Sequence, residues 1–343
     1  MHAVQSYQKT NTPQYVEALL LCPEKKVCTN LSDTINRSHD SVQRELACAA
    51  AKQEDATQSL RTLALNELNA DETDLIHDDT QLTKLYSKLI EGLDVGFDGS
   101  LGRAALGLKV VTSLLTDRHI NIPIEAIPFV SKELAQASYR TKSDIAIEVT
   151  KQVIKHFRIK RVLADAHFAT KCMLTFLNNE QINYLMKIPR SRVVAIDGIE
   201  GQLKNVLRLK KNNRVKMAKG TFKEIECYFY VIKIYNGATI YLVSNDLIDP
   251  YEVVELYRIR WNIELFHRTA KQYLGLGDCQ MRSIEKQRQH ILYVMHAYAL
   301  ASVQMSLMNL ACVEDVINHL RNVKPNYLDT WKSAAKGNFD YVA

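Results

Sequence analysis

The chain of 343 residues has no CxxC pair, and its seven cysteines, at 22, 28, 48, 172, 227, 279 and 312, are scattered and odd in number. That spacing excludes a disulfide framework and a ribbon-type zinc site, and fits a reducing compartment. Glycine and proline are scarce, at 12 and 7 residues, while hydrophobic side chains make up 47% and charged ones 24%. Such a composition excludes a disordered, collagen-like or low-complexity chain. No Ser/Gly/Pro linker divides it, and no repeat with a period of roughly 20–50 residues is present. The first ten residues, MHAVQSYQKT, lack the basic-then-apolar layout of a signal peptide, and neither end carries a lipidation motif. A cytoplasmic location is the expectation. Charge of one sign is also in short supply: 44 Lys and Arg against 38 Asp and Glu leave +6, which permits a polyanionic partner without requiring one.

Long apolar runs are absent but for one. His290 to Val313 has no formally charged side chain, yet His296, Ser302, Gln304, Ser306 and Asn309 interrupt it. Five polar groups without partners in lipid would cost several kcal/mol, so a buried core helix is expected and no membrane contact.

Changes of texture divide the chain into five regions. Residues 1–70 are polar and helical, 71–182 and 249–322 form the two parts of a core, 183–248 form a β-rich basic insertion, and 323–343 form a tail. TDLIHDDT (73–80), the run 105–117 and the run 120–131 are β-branched and apolar, and read as three successive strands. Ser143 is the expected cap of a helix with apolar residues at 145, 149, 153, 154 and 157, and RVLADAHF (161–168) returns as a short buried strand. The order βββαβ requires a mixed sheet. In the insertion, Leu203 to Lys223 holds eight Lys or Arg and no acid, which makes Lys210, Lys211 and Arg214 candidate phosphate contacts. Near the amino terminus, residues 29–46 have helix-turn-helix grammar, with Asn36 where a left-handed residue is needed and Ser38 as the cap of a second helix. Two packed helices without a DNA role fit that pattern as well.

The run EVVELYRIRWNIELFHRTAKQYLGLG (252–277) reads as one helix. Wound at 100° per residue, it puts Arg260, Trp261, Glu264, Arg268 and Lys271 within about 60° of Tyr257. Leu256, Ile259, Ile263, Phe266, Ala270 and Leu274 fall on the opposite side. Solvated i,i+4 ion pairs, worth about 0.3–0.5 kcal/mol each, would explain the charges. They do not explain an aromatic pair on the charged face, nor one carboxylate set among four cations if His267 is protonated. Such a carboxylate stays ionised and suits a divalent metal.

Tyr257-x2-Arg260-x3-Glu264-x6-Lys271 resembles the Tyr-Arg-Glu-Lys signature of the insertion sequence four family of bacterial DDE transposases. LIHDDT (75–80) and RVLADAHF are similar to that family's two Asp-bearing strands. The resemblance implies a ribonuclease-H-like α/β fold with a β-rich insertion, and catalytic, metal-binding acids at Asp79, Asp165 and Glu264. Asp78 and Asp79 are adjacent, and alternation along a strand lets only one face inward; the family pattern selects the Asp directly before Thr80. The resemblance further implies two Mg2+ ions, with Mn2+ able to substitute, and Tyr257, Arg260, Arg268 and Lys271 as DNA contacts. The expected activity is cut-and-paste transposition on double-stranded DNA, by a homodimer associated with a bacterial nucleoid. A catalytically silent DNA-binding relic and a ribonuclease-H-like endonuclease are the alternatives.

Overall fold

The computed structural model describes residues 14–47, 50–87, 89–99, 101–210, 213–234 and 237–322. The expected tail 323–343 lies outside them. Among the described residues, four helices come first: α1 (Gln14–Leu21), α2 (Cys28–Thr34), α3 (His39–Leu46) and α4 (Ala50–Glu67). Then come β1 (Asp74–Thr83), β2 (Asp94–Asp98), β3 (Arg103–Thr116), β4 (Asn121–Phe129), α5 (Lys132–Ala135), α6 (Lys142–Val153), β5 (Arg161–Ala164) and α7 (Lys171–Asn179). The segment that follows holds β6 (Tyr184–Lys187), β7 (Val193–Ile196), β8 (Ile199–Gln202), α8 (Leu203–Val206), β9 (Val215–Phe222), β10 (Ile225–Lys233) and β11 (Thr239–Ser244). Helices α9 (Glu252–Arg258), α10 (Trp261–Gln272), α11 (Ile284–Leu307) and α12 (Val313–Asn322) close it. The architecture is mixed α/β, with a large mixed sheet flanked by helices. The described residues fall into two units: one drawn from Met1–Asn69, Asp79–Ala137 and Leu265–Ala343, the other from Ala70–Asp78 and Ser138–Glu264.

In the first unit, β3 is the central strand. It pairs antiparallel with β2 over Arg103–Gly107 and with β4 over Lys109–Thr116, and neighbours β1. Gly107 lets β3 approach closely, since a Cβ there would stand 2.4 Å from the Leu82 carbonyl oxygen. Strand β2 was absent from the three-strand expectation. Between α2 and α3, Asn36 takes φ 52 and the Ser38 hydroxyl accepts from Ser41 N–H, while Val42 and Leu46 are buried. Helix α11 is the run expected in the core, and it packs against β4, α1 and α4. Its polar groups find partners there: His290 bonds the Tyr15 hydroxyl and the Gly275 carbonyl, both at 2.8 Å, and His296 bonds the Ala56 carbonyl at 2.9 Å. Asn121 N–H donates to the Ser302 hydroxyl at 2.9 Å. Among the described residues, no helix is long and apolar enough to cross a membrane.

In the second unit, β1 and β5 run parallel from Asp74↔Arg161 to His77↔Ala164, and β5 and β6 run parallel to Ala164↔Met186. The order continues β6-β11-β10-β9-β7-β8, so the β-rich segment extends the sheet through the β6–β11 pairing. Helix α6 starts one residue before Ser143: Thr141 is its cap, and Asp144 completes a reciprocal capping box with it. Ser143 is buried inside the first turn instead.

Candidate active site

The parallel ladder sets the position of the acids. The paired residues end at His77↔Ala164 and Ala164↔Met186, and one residue further stand Asp78 in β1, Asp165 directly after the end of β5, and Lys187 in β6, so that continuing the ladder by one residue brings the three into a row. In-register residues of parallel strands point to the same face, and successive residues alternate. Asp78 therefore shares a face with Asp165, and Asp79 turns to the other.

The expected continuous helix is broken. Between α9 and α10, Arg260 N–H donates to the Tyr257 carbonyl at 3.1 Å and Ile263 N–H to the Arg260 carbonyl at 3.3 Å, a tighter i to i−3 pattern. The single-helix winding fails at that point, and the proposed strip is not a solvated face. Arg260 is 12% exposed and donates to Asp78 Oδ2 at 3.3 Å and to Glu264. Its Cζ lies 5.5 Å from the Tyr257 ring centroid. Burial works against the guanidinium charge, but the Tyr257 oxygen, Glu264 and Asp78 more than offset it and hold its pKa above the ordinary value. Burial, reinforced by the charges of Asp165 and Asp78, raises the Tyr257 phenol against the opposing pull of Arg260, so the phenol stays protonated. Its hydroxyl is buried, with no hydrogen-bond partner of normal geometry among the described residues.

Asp165 is held ionised, its pKa pushed down to about 2. His167 leads the causes, and the Ala166 N–H at 2.6 Å, Lys187 and Arg260 add to it against the opposing cost of burial. The His167 Nδ1 stands 3.8 Å from Asp165 Oδ2.

The other anticipated residues have surroundings of their own or lie outside the described residues. Arg268 lies 3.7 Å from Glu314. His267, counted as a cation if protonated, is 8% exposed and shares a 2.7 Å hydrogen bond with the Thr112 hydroxyl, as a core anchor for α10. Lys271 is half-buried, which lowers its pKa, with Asp98 opposing the shift. Lys210 and Arg214 are exposed, as are Lys204, Arg208, Lys216 and Lys223; Lys211 lies outside the described residues. Lys187 and His167 were not anticipated as parts of the site. The available signal was the alignment of NYLMK with RVLAD as neighbouring strands, a long-range pairing.

A family model for the transposase DDE domain matches residues 125–300, which include Asp165, Arg260 and Glu264. The chain belongs to the transposase DDE family. A second model, for a DDE superfamily endonuclease, matches residues 2–202 and takes in Asp78. Among solved structures, the piggyBac transposase in a synaptic complex with hairpin DNA is similar at a TM-score of 0.50 and 11% identity, over 93% of this chain and 70% of that one. It supports the ribonuclease-H-like fold. The NurA nuclease of Sulfolobus solfataricus aligns at a TM-score of 0.29 and 7% identity, over 78% of this chain and 95% of that one. The mitochondrial cytochrome b translational activator protein CBS1 of Saccharomyces cerevisiae is 26% identical over 145 residues, 40% of this chain. The chain spans 58% of the length of that curated relative.

DDE domains generally use divalent metal ions. The donors here fit in kind, since Asp78, Asp165 and Glu264 offer hard carboxylate oxygens and the last two are about a third exposed. Among the described residues, no three His, Cys, Asp or Glu are gathered closely enough to hold an ion as they stand. Arg260 fills the place between Asp78 and Glu264.

Proposed function

We propose that this DDE domain is an insertion-sequence transposase of the insertion sequence four type, which cleaves DNA at element ends and joins them to target DNA. The observation that carries the reading is the row Asp78–Asp165 with Arg260 joining Asp78 to Glu264. Asp78, Asp165 and Glu264 are the acids of the reaction, with Asp78 taking the place first expected for Asp79. These carboxylates would hold divalent cations, two Mg2+ with Mn2+ able to substitute, which supply charge to the attacking and leaving oxygens of an in-line displacement. Asp165 is ionised throughout the neutral range and needs no proton removed before it serves. Tyr257, kept as a phenol, donates a hydrogen bond to a phosphate oxygen, and Arg260 adds a permanent positive charge beside the scissile bond. Lys271, Lys210, Lys211 and Arg214 contact the DNA backbone elsewhere; Arg268, drawn to Glu314, is left out of this set. The protein acts as a homodimer that pairs two element ends.

Nicking of a supercoiled plasmid carrying the DNA that flanks the coding region tests this. Cleavage should require Mg2+ or Mn2+ and stop in excess EDTA. Asp78→Asn, Asp165→Asn and Glu264→Gln should abolish it, while Asp79→Asn keeps substantial turnover. Cleavage in EDTA refutes the metal requirement; a dead Asp79→Asn beside an active Asp78→Asn reverses the assignment of the strand faces.

A further inference from the structure

We infer that Lys187 is a further catalytic residue, one that binds a non-bridging oxygen of the scissile phosphate. The inference rests on the assignment of Asp78, Asp165 and Glu264 as the acids of the reaction. Lys187 ends β6, and its backbone is fixed from both sides: β5 pairs with the preceding Met186, and β11 pairs Leu242 with Lys187 itself. Tyr184, Leu185, Met186 and the following Ile188 are buried, whereas Lys187 is half-buried. The strand reaches the surface at this residue, on the face and in the row that hold Asp165 and Asp78.

Neighbouring strands are about 4.8 Å apart, so the row sets Lys187 one strand spacing from Asp165 and two from Asp78. The acids have other partners. Arg260 engages Asp78 and Glu264, and Asp165 accepts from Ala166 N–H with His167 beside it. Among the described residues Lys187 makes no ion pair within 4.0 Å, although its charge reaches Asp165. An ammonium held at the edge of an acidic cluster, and not consumed by it, is suited to an anion brought there by the substrate. A phosphodiester in transfer is such an anion, and its added negative charge in the transition state strengthens the contact.

The same cation begins a basic path. Exposed Arg190 follows three residues later, and its carbonyl accepts from Lys204 N–H at 3.0 Å, which ties the turn after β6 to the basic stretch of the insertion. Lys204, Arg208, Lys210 and Arg214 continue that exposed series. A DNA backbone running along it would arrive at the acids beside Lys187.

Each phosphate contact contributes about −0.9 to the slope of log affinity against log salt. Anisotropy titrations of a labelled mixed-sequence duplex, in EDTA over a range of salt, should show that slope flattened by about one unit in Lys187→Gln. Single-turnover nicking of the supercoiled plasmid in Mg2+ should fall at least about 30-fold, beyond the loss of affinity, and Lys187→Arg should restore most of it. Lys187→Met, apolar and compatible with a strand, should match Lys187→Gln; matching thermal midpoints separate both from misfolding. An unchanged slope with nicking within twofold of wild type overturns the inference and leaves a solvated strand lysine. Nicking by Asp165→Asn at the wild-type rate overturns the acids instead, and the salt slope then stands as a DNA contact alone.

Discussion

Replacing Arg260 with Gln leaves Asp78 and Glu264 facing each other without the cation that joins them. At the 3.3 Å separation from Asp78, two unit charges attract by about 5 kcal/mol at an effective dielectric of about 20, before desolvation is subtracted. Both side chains of that pair are under 15% exposed, the setting in which loss of one partner costs about 3–5 kcal/mol. Glu264 is 34% exposed, so its share is screened and worth under about 1 kcal/mol. A loss of roughly 3 kcal/mol at pH 7.5 follows, since the glutamine keeps part of the packing and hydrogen bonding. The deficit should shrink at acid pH, because protonating a carboxyl that has lost the guanidinium weakens its repulsion of the other. It should also shrink in millimolar Mg2+, which replaces the missing positive charge and stabilises the folded state by mass action. Lysine, a single ammonium, cannot donate to both acids in the guanidinium geometry and should recover only part of the loss. Urea unfolding of wild type, Arg260→Gln and Arg260→Lys, at two pH values with and without Mg2+, measures all three effects. Arg260→Gln within 0.5 kcal/mol of wild type at pH 7.5 would refute the reasoning.

Glutamine at Lys210 or at Arg214 should each flatten the salt dependence of DNA binding by about one unit and weaken unrelated sequences equally; unchanged slopes would mark them as solvated residues. Burial holds His290 and His296 near pKa 4, against about 6.5 when unfolded, so the unfolded chain takes up protons first as pH drops. Their stability contribution is intact above about pH 6.5 and is lost between about 6.5 and 4, by roughly 3 kcal/mol per histidine. His296→Gln should flatten the pH dependence of urea unfolding over that window, and an unaltered slope counts against the assignment. Gly107→Ala should cost at least about 2 kcal/mol, because the added Cβ meets the Leu82 carbonyl and neither backbone can retreat without breaking the ladder. A thermal midpoint equal to wild type would contradict the close approach.

The elements legible in the sequence are those whose cause is local. The Asn36 turn and the Ser38 cap depend on a few neighbouring residues, and β3 and β4 are long β-branched runs that need no partner to be recognised. The DVGFD of β2 has two acids and a glycine in five residues, a poor strand by propensity. It forms because β3 offers an edge and because Gly96 clears Gln81 and Lys109, where a Cβ would come within 2.5 Å of each. The α6 cap was within reach of local reasoning, since Thr141-x-x-Asp144 has the spacing of a capping box. Ser143 was the nearer hydroxyl to the apolar run and so the misleading one.

The candidate site depends on phase, which local patterns do not carry. A helical wheel assumes an unbroken helix, and the tightening at Arg260 re-aims everything before it relative to everything after it, which leaves Tyr257 half-buried with its hydroxyl out of solvent. Alternation says that Asp78 and Asp79 face opposite ways but not which faces the chemistry. That choice is made by the pairing of β1 with a strand nearly ninety residues later, and a slip of one residue would exchange the two acids. Two buried contacts hold the phase. Arg161 Nε meets Asp74 Oδ1 at 3.0 Å, across the first register pair of the β1–β5 ladder, and His77 bonds the Thr150 hydroxyl of α6 at 2.9 Å, beside the last. Asp74 is fully buried, so a slipped register would strand its charge away from Arg161 at a cost of several kcal/mol. The alignment of Asp78 with Asp165 is thus secured by an ion pair four residues away, which lies outside the proposed site and which no motif around the acids would reveal.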